Sequence, residues 1–186
     1  MKPLDIRDIA IIDAFPIYSC RKTVLNVGCG EGRLDWYLAR MGYRVYATDI
    51  DQHPRRPTLR NLTFHKSGIF DLSSFPIASS PIVICSQVLE HLKEYRVALA
   101  HLLALTEVRL IITVPYRRSF PHPDHINFWD DEVSSTFKDI HDFIAFCDPY
   151  STAISKIRTK PEDVKMGRWN YLIVIDKRQN LVEAIS

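Results

Sequence analysis

One short segment constrains the fold more than any other: three alternating glycines that directly follow a buried strand. Residues 23–27 form an apolar run, and Gly28, Gly30 and Gly32 come next. The following residues, 33–41, repeat apolar side chains at the spacing of one helix face. Glycine permits a tight turn and lets a ligand approach bare backbone, while the helix presents unpaired N–H groups and the positive end of its dipole. The segment predicts a strand, a turn and a helix around a ligand site.

The rest of the chain alternates strands and helices. Strand-like apolar runs lie at residues 43–48, 62–66, 82–85, 110–114, 151–159 and 171–175. Alternation with short buried strands predicts a parallel, doubly wound sheet, and the last two runs have no helix between them. The predicted fold class is therefore α/β, a doubly wound, mostly parallel seven-stranded sheet with helices on both faces and a C-terminal antiparallel hairpin.

Further helices are expected from the periodicity and the charges. The patterns indicate helices over residues 4–14 and 95–106. A third is predicted to begin at Asp130, because the acidic residues 130–132 would compensate the dipole at a helix N-terminus.

Composition narrows the class of protein. The chain is 46% hydrophobic and 25% charged with a formal net charge of +2, which is typical of globular proteins and does not favour a nucleic-acid coat or a polybasic membrane binder. No run approaches the ~20 apolar residues of a membrane span. Cys20, Cys29, Cys85 and Cys147 stand far apart without a CxxC pair, which favours free thiols. We expect a cytoplasmic protein that does not bind membranes.

The end of the second strand carries an acidic residue, Asp49, about 20 residues after the first glycine. An acid at the tip of this strand can accept hydrogen bonds from both ribose hydroxyls of an adenine nucleoside. Taken alone, Asp49 is explained equally well as a cap of a turn. Together with the glycine turn, it predicts a nucleoside site.

Four motifs now stand in a characteristic order: GCGEG at 28–32, TDID at 48–51, CSQVLEHL at 85–92 and VPY at 114–116. In this order they resemble the class I, Rossmann-like S-adenosylmethionine-dependent methyltransferases, over about residues 20–130. The resemblance implies an enzyme with S-adenosyl-L-methionine as its cofactor. A Rossmann dehydrogenase shares the glycine and acid pattern, but it would need a larger sheet and a substrate domain.

The resemblance implies a cofactor site built from four segments. Its residues are Gly28, Gly30, Gly32, Asp49, Ile50, Gly68, Ile69, Phe70, Ser86 and Gln87. The three glycines would wrap the methionine part, Asp49 would hold the ribose, and Ile50 would pack on adenine. Segment 68–70 would border the adenine edge, and the pair at 86–87 would line the methionine side.

Three positions depart from the family's pattern. Asn26 replaces the acidic residue that commonly precedes the glycine turn, and Gly68 falls where an adenine-binding carboxylate is often found. Pro81 stands where the fourth strand often begins with Asp. These departures leave open the alternative that the chain is a regulatory protein, which binds the cofactor but does not catalyse methyl transfer.

Candidate catalytic groups follow the fourth and fifth strands, whose carboxyl ends open on the cofactor side. His91 and His125 are assigned as catalytic candidates, and together with Glu90 they could act as a base or bind a divalent metal. The segment resembles the Glu-x-x-Glu-His pattern of small-RNA terminal 2′-O-methyltransferases and some quinone-biosynthesis O-methyltransferases. Gln87 stands at the first Glu position, and a neutral amide is a poorer ligand for a hard cation. We expect no metal.

The organisation follows from these assignments. We expect a single methyltransferase domain over residues 1–186, with an N-terminal helix and lead-in (1–20), a cofactor-binding core (21–115), and a substrate loop with closing strands (116–186). The acceptor is expected to be a small molecule, because no appended recognition domain is visible. An RNA or nucleotide acceptor is the alternative, supported by arginine pairs such as 117–118 and by the partial metal pattern. The oligomeric state stays open.

Overall fold

The computed structural model describes residues 3–16, 22–54, 56–117, 122–131, 138–148, 150–158 and 168–177. Its strands are β1 (Thr23–Val27), β2 (Arg44–Asp49), β3 (Leu62–Lys66), β4 (Ser80–Ser86), β5 (Thr106–Pro115), β6 (Trp129–Asp130), β7 (Lys138–Asp139), β8 (Ser151–Ile157) and β9 (Asn170–Asp176). Its α-helices are α1 (Ile6–Asp13), α2 (Arg33–Arg40), α3 (Tyr95–Leu105) and α4 (Asp142–Phe146). None of the helices in these ranges is long and apolar enough to cross a bilayer.

Seven strands form one sheet in the order β3-β2-β1-β4-β5-β9-β8. Neighbours among the first five strands are parallel, whereas β9 runs antiparallel to both β5 and β8. The predicted fold class, including its terminal hairpin, is confirmed. The chain leaves β1 toward β2 on one side and returns to β4 on the other, so a crevice opens at the carboxyl ends of β1 and β4, where α/β sheets bind ligands.

Alternating strand residues bury opposite faces of the sheet. Val24, Val45 and Ile84 pack in one core cluster with residues of α1 and α2. Leu25 and Val83 point the other way and pack in a second cluster with the apolar side of α3. Because both faces are covered, the central strands contain few polar residues, as expected for a buried parallel sheet.

Helix α1 is fixed to the first turn of α2 by charge. Asp5 and Asp8 form a capping box at its N-terminus. The Arg33 guanidinium, at the start of α2, lies 2.6 Å from both of these carboxylates. These ion pairs hold α1 beside the glycine turn. They also place Arg7, which lies between the two acids in the sequence, beside the crevice.

The prediction that a helix begins at Asp130 is wrong. Asp130 lies in the short strand β6, which pairs with β7, and helix α4 begins only at Asp142. The neighbouring Trp129 is 0% exposed and the Asp130 carboxylate accepts a hydrogen bond from Arg117. The acid therefore serves a buried ion pair rather than a helix dipole. Glu132 lies outside the described residues.

The core predicts a clear contrast between two positions of α3. Leu102 is 0% exposed and Val97 is 44% exposed. Leu102→Ala should lower the free energy of unfolding by about 2–5 kcal/mol, because it leaves a cavity under the sheet. Val97→Ala, the control, should change it by less than about 0.5 kcal/mol. Urea unfolding followed by circular dichroism measures both, and equal losses would contradict the packing described here.

Candidate active site

The glycine turn has the backbone that only glycine adopts without strain, and it is closely packed. Gly28 has φ +77° and Gly32 has φ +78°. A Cβ built on Gly28 would lie 2.2 Å from Cγ2 of Val88, and one on Gly32 would lie 2.5 Å from the Phe64 ring. The turn is therefore required both by its dihedral angles and by its neighbours.

Asp49 holds this turn in place. One oxygen of its carboxylate accepts a hydrogen bond from the Gly30 backbone N–H at 2.7 Å, and the other accepts from the Asp51 N–H at 3.0 Å. The backbone oxygen of Thr48 accepts from the N–H groups of Gly28 and Cys29. The Asp49 side chain is only half-buried, and each carboxylate oxygen can accept a further hydrogen bond.

Beside Asp49 lies an apolar edge that the fold leaves uncovered. Ile50 is 66% exposed and Phe70 is 48% exposed. Gly68 faces Ile50, because a Cβ built on it would lie 3.7 Å from Ile50 Cγ2. Ile69, which was expected to border the adenine edge together with Gly68 and Phe70, is not part of this exposed edge. Its side chain is buried in the core beneath α3.

A cavity of about 280 Å³ lies against the glycine turn. Its lining is Arg7, Asp8, Asn26, Gly28, Cys29, Gly30, Glu31, Arg33, Leu34 and Ser86. Asn26 is the last polar side chain of β1, and its amide donates to the carboxylate of Asp35 at 2.8 Å. Asp35 is 0% exposed, and burial raises its pKa to about 7 despite this hydrogen bond.

The chain makes a strained turn where β4 ends. Gln87 has φ +59°, which a side chain other than glycine rarely adopts, and such strain is concentrated at functional sites. The Gln87 N–H donates to the backbone oxygen of Thr113 in β5, and the hydroxyls of Ser86 and Thr113 lie 2.7 Å apart. These bonds turn Ser86 toward the first cavity and Gln87 toward a second one.

The second cavity, of about 400 Å³, is rich in imidazoles. It is lined by Arg7, Gln87, Glu90, His91, His122, His125 and Arg168. The rings of His91 and His125 have centroids 4.6 Å apart. One potential ligand atom from each of Glu90, His91 and His125 lies within 4.8 Å of the others. The structure thus brings together the two predicted catalytic histidines and the neighbouring acid.

Glu90 is the unusual member of this cluster. Its side chain is 0% exposed, and neither carboxylate oxygen has a hydrogen-bond partner within the described ranges. Burial raises the pKa of Glu90 to about 8, and the charge of Arg7 acts against that rise. Near neutral pH the group therefore holds its proton for much of the time, and a cation placed beside it would release that proton.

Backbone hydrogen bonds join the two loops that carry the cluster. The backbone oxygen of Glu90 accepts from the N–H groups of Ile126 and Asn127. The Asn127 side chain, buried in turn, donates to the backbone oxygens of Leu89 and Leu92. The loop after β5 is thereby fixed on the turn after β4, which explains why His125 meets His91.

Comparison with known proteins agrees with this geometry. Residues 25–107 match the model of the methyltransferase domain family. That stretch contains the glycine turn, Asp49 and the segment that ends β4. Over that stretch the chain is similar to this family, which supports the resemblance to the class I S-adenosylmethionine-dependent methyltransferases that the order of the motifs predicted.

Solved structures of methyltransferases share the fold of this chain over most of both chains. A magnesium protoporphyrin IX methyltransferase from Synechocystis with bound S-adenosylhomocysteine is 20% identical, with a TM-score of 0.64, covering 91% of this chain and 83% of that one. A 1,6-didemethyltoxoflavin-N1-methyltransferase from Burkholderia thailandensis is 18% identical, with a TM-score of 0.60 and coverages of 83% and 70%. A methyltransferase from Archaeoglobus fulgidus is 16% identical, with a TM-score of 0.64 and coverages of 92% and 93%. No curated protein sequence matches significantly.

Sequence reasoning overlooked three residues of the candidate site. Arg7 lines both cavities, Arg168 lines the second, and Asp35 lies behind Asn26. Their roles depend on how distant elements dock, and no local motif marks them. Arg117 was a candidate for binding anions, but its guanidinium donates to the buried Asp130 carboxylate at 2.7 Å. Arg118 lies outside the described residues.

The packing of the glycine turn predicts different effects at two glycines. In Gly28→Ala the new methyl group would meet the stiff, β-branched Val88, so S-adenosylhomocysteine affinity should fall at least about tenfold and the melting temperature should fall. Gly42 has φ +89° with no atom within 4 Å of a built Cβ. Gly42→Ala should therefore cost only about 1–2 kcal/mol of backbone strain and keep its affinity. Calorimetry and thermal unfolding measure both variants, and equal affinities would refute the assigned packing.

Proposed function

We propose that this protein is an S-adenosylmethionine-dependent methyltransferase, and that its small-molecule acceptor enters the cavity lined by His91, His125 and Gln87. The observation that carries the proposal is the adjacency of two different cavities. Arg7 lines both of them, and the consecutive residues Ser86 and Gln87 line one each. A methyl donor in the first cavity would therefore meet an acceptor in the second beside this shared wall.

The proposed placement of S-adenosylmethionine uses the residues around the first cavity. The backbone of Gly28–Gly32 and the side of Ser86 and Gln87 would border the methionine part. Asp49 would accept from the ribose hydroxyls with the lone pairs that its backbone hydrogen bonds leave over. Ile50 and Phe70, with Gly68 between them, would border adenine, and Ile69 would contribute through its backbone. The close-packed turn and the exposed apolar edge fit such a group.

For methyl transfer, the protein needs only to align the two reactants and to remove the acceptor's proton. When bound, the cofactor supplies a methyl group on a positively charged sulfur, whose bond to carbon breaks as the acceptor's oxygen or nitrogen bonds to that carbon. Residues of both cavities hold the two reactants in line. An imidazole of His91 or His125 takes the acceptor's proton on its unprotonated ring nitrogen.

The charge of the second cavity favours an anionic acceptor. Arg7 and Arg168 bring two guanidiniums to its wall. One nitrogen of the Arg7 guanidinium lies 3.6 Å from the Asp5 carboxylate, and the Nε of Arg7 is buried without a hydrogen-bond partner in the described part of the chain. The acid at this wall, Glu90, has a pKa of about 8 and adds little negative charge at neutral pH. A carboxylate or phosphate on the acceptor would pair with the guanidiniums. The porphyrin and didemethyltoxoflavin methyltransferases named above support a small molecule.

Labelled-methyl transfer into fractionated small molecules and RNA from the source cell tests this function. We expect label in an anionic small-molecule fraction. His91→Ala or His125→Ala should lower kcat about 100-fold if the replaced imidazole is the base, with the KM for S-adenosylmethionine little changed. The exposed His141, outside the cavity, provides the control variant His141→Ala.

Three outcomes would contradict parts of the proposal. Label confined to RNA would favour the second candidate described next. Binding of S-adenosylmethionine without transfer to any fraction would favour a cofactor-binding regulatory protein. If the folded protein bound neither S-adenosylmethionine nor S-adenosylhomocysteine in a calorimeter, the assigned function would be wrong.

A second candidate function is metal-assisted methyl transfer to RNA or a nucleotide. One observation favours it: the donor atoms of Glu90, His91 and His125 lie close enough together to hold one divalent ion. A carboxylate with two imidazoles suits such an ion, and Glu90 carries two unpartnered oxygens among the described residues. The neutral Gln87 beside them is the weak point of the donor set.

Chelation separates the two candidates. A metal-free enzyme keeps its activity in a chelator, and its purified form contains no stoichiometric metal by elemental analysis. A metal enzyme loses activity on chelation, and Mn²⁺ or Zn²⁺ raises its melting temperature. Binding would strengthen as the pH rises toward the Glu90 pKa of about 8, because the ion must displace a proton. Glu90→Gln should abolish that shift, and Glu94→Gln, at an exposed neighbouring position, should not.

A further inference from the structure

Behind the wall of the first cavity lies a buried acid that is poorly compensated. Asp35 is 0% exposed, and the amide of Asn26, 4% exposed, donates to one of its oxygens at 2.8 Å. The other carboxylate oxygen, and the side-chain oxygen of Asn26, have no hydrogen-bond partner among the described residues. Two adjacent acceptors therefore stand unused beside a cavity that Asn26 lines. Buried polar atoms without partners are rare and call for an explanation.

The other acids near the cavity are already engaged or lie at its rim. Asp8 lies 2.6 Å from the Arg33 guanidinium. Glu31 is exposed to solvent. Asp35 has no ion pair within the described ranges, and the charge of Arg56 acts on it only from a distance. Asp35 is therefore the acid that can compensate a positive charge brought into the cavity by a ligand.

We propose that Asn26 contacts the α-ammonium group of S-adenosylmethionine through its side-chain oxygen, and that Asp35 is the positioning residue that makes this possible. The inference rests on the proposed placement of the cofactor in the first cavity. By accepting the Asn26 N–H, Asp35 prevents the amide from flipping and leaves the amide oxygen as the acceptor. The negative charge of Asp35 polarises the Asn26 amide. From behind that amide it also compensates the positive charge of the ammonium group.

The same arrangement makes binding of the amino-acid part depend on pH. The groups that act on Asp35 are the Asn26 amide on β1, Asp8 on α1, Cys29 in the glycine turn and Arg56 after β2. Burial raises the pKa of the Cys29 thiol, which stays uncharged near neutral pH. Since the Asp35 pKa is about 7, its charge is present above neutral pH and is lost below it. Affinity for an ammonium should therefore fall as the pH is lowered.

Two ligands distinguish this role from a merely structural one. S-Adenosylhomocysteine carries the α-ammonium, and 5′-methylthioadenosine lacks the whole amino-acid part. In calorimetry near pH 8, Asp35→Asn should bind S-adenosylhomocysteine about tenfold more weakly and bind 5′-methylthioadenosine almost unchanged. Between about pH 8 and pH 6, the wild-type affinity for S-adenosylhomocysteine should fall, and that slope should be absent in Asp35→Asn.

Exchanging the acid and the amide between positions 26 and 35 should restore the binding that Asp35→Asn loses. The double variant Asn26→Asp with Asp35→Asn keeps one acid and one amide in contact, so its affinity for S-adenosylhomocysteine should recover to within about threefold of wild type. Asp71→Asn, a change of the same kind at an exposed position, is the matched control. The Asp35→Asn protein should melt no lower than wild type near pH 8, since a raised pKa means that ionised Asp35 costs folding stability there.

Several results would overturn the inference. Equal weakening of both ligands in Asp35→Asn would show a structural role only, and unchanged binding of both would remove the role altogether. If Asp35→Asn failed to fold, a flat wild-type pH profile for S-adenosylhomocysteine relative to 5′-methylthioadenosine would still refute the assignment. Wild-type protein that bound neither ligand would overturn the cofactor placement itself, which is a different failure.

Discussion

The hydrogen bond from the Gly30 N–H to the Asp49 carboxylate is the contact on which the site depends. It ties the end of β2 to a turn in which the N–H groups of Gly28 and Cys29 donate to the backbone oxygen of Thr48. Without it, the glycine turn would have one fewer constraint at the point where its backbone is most permissive. With this hydrogen bond, the glycine turn is held in one conformation, and the N-terminus of α2 is directed at the crevice beside β1 and β4.

Much of this arrangement was predictable, because it follows from local patterns. The strand periods, with no helical pattern in the sequence between the last two apolar runs, predicted the sheet and its hairpin. The glycine turn and Asp49 follow strands whose ends must meet. Asp130 was misread because an acidic run is typical of a helix start, and its burial beside Trp129 is a tertiary effect. Asp35 was missed for the same reason: an acid in the first turn of a helix ordinarily faces solvent.

The two cavities differ in charge, and the difference follows from which elements reach them. Arg7 lines both cavities. The first is also lined by Asp8, Glu31 and Arg33, with Asp35 of α2 behind Asn26, whereas the second is also lined by Arg168 and the buried Glu90. The buried acids Asp35 and Glu90 both have raised pKa values, of about 7 and 8, because each is removed from water without a full set of partners. A cationic donor on one side and an anionic acceptor on the other would be held by opposite charges and kept in their own compartments.

Helix α1 has a consequence for how acceptor choice can change. It is bound to the rest of the molecule mainly on one side, through the ion pairs of Arg33 and the face that contains Ile11, yet its Arg7 lines both cavities. Substitutions of α1 residues that face the cavities, Arg7 above all, can therefore change the walls of both cavities and leave the strands of the sheet untouched.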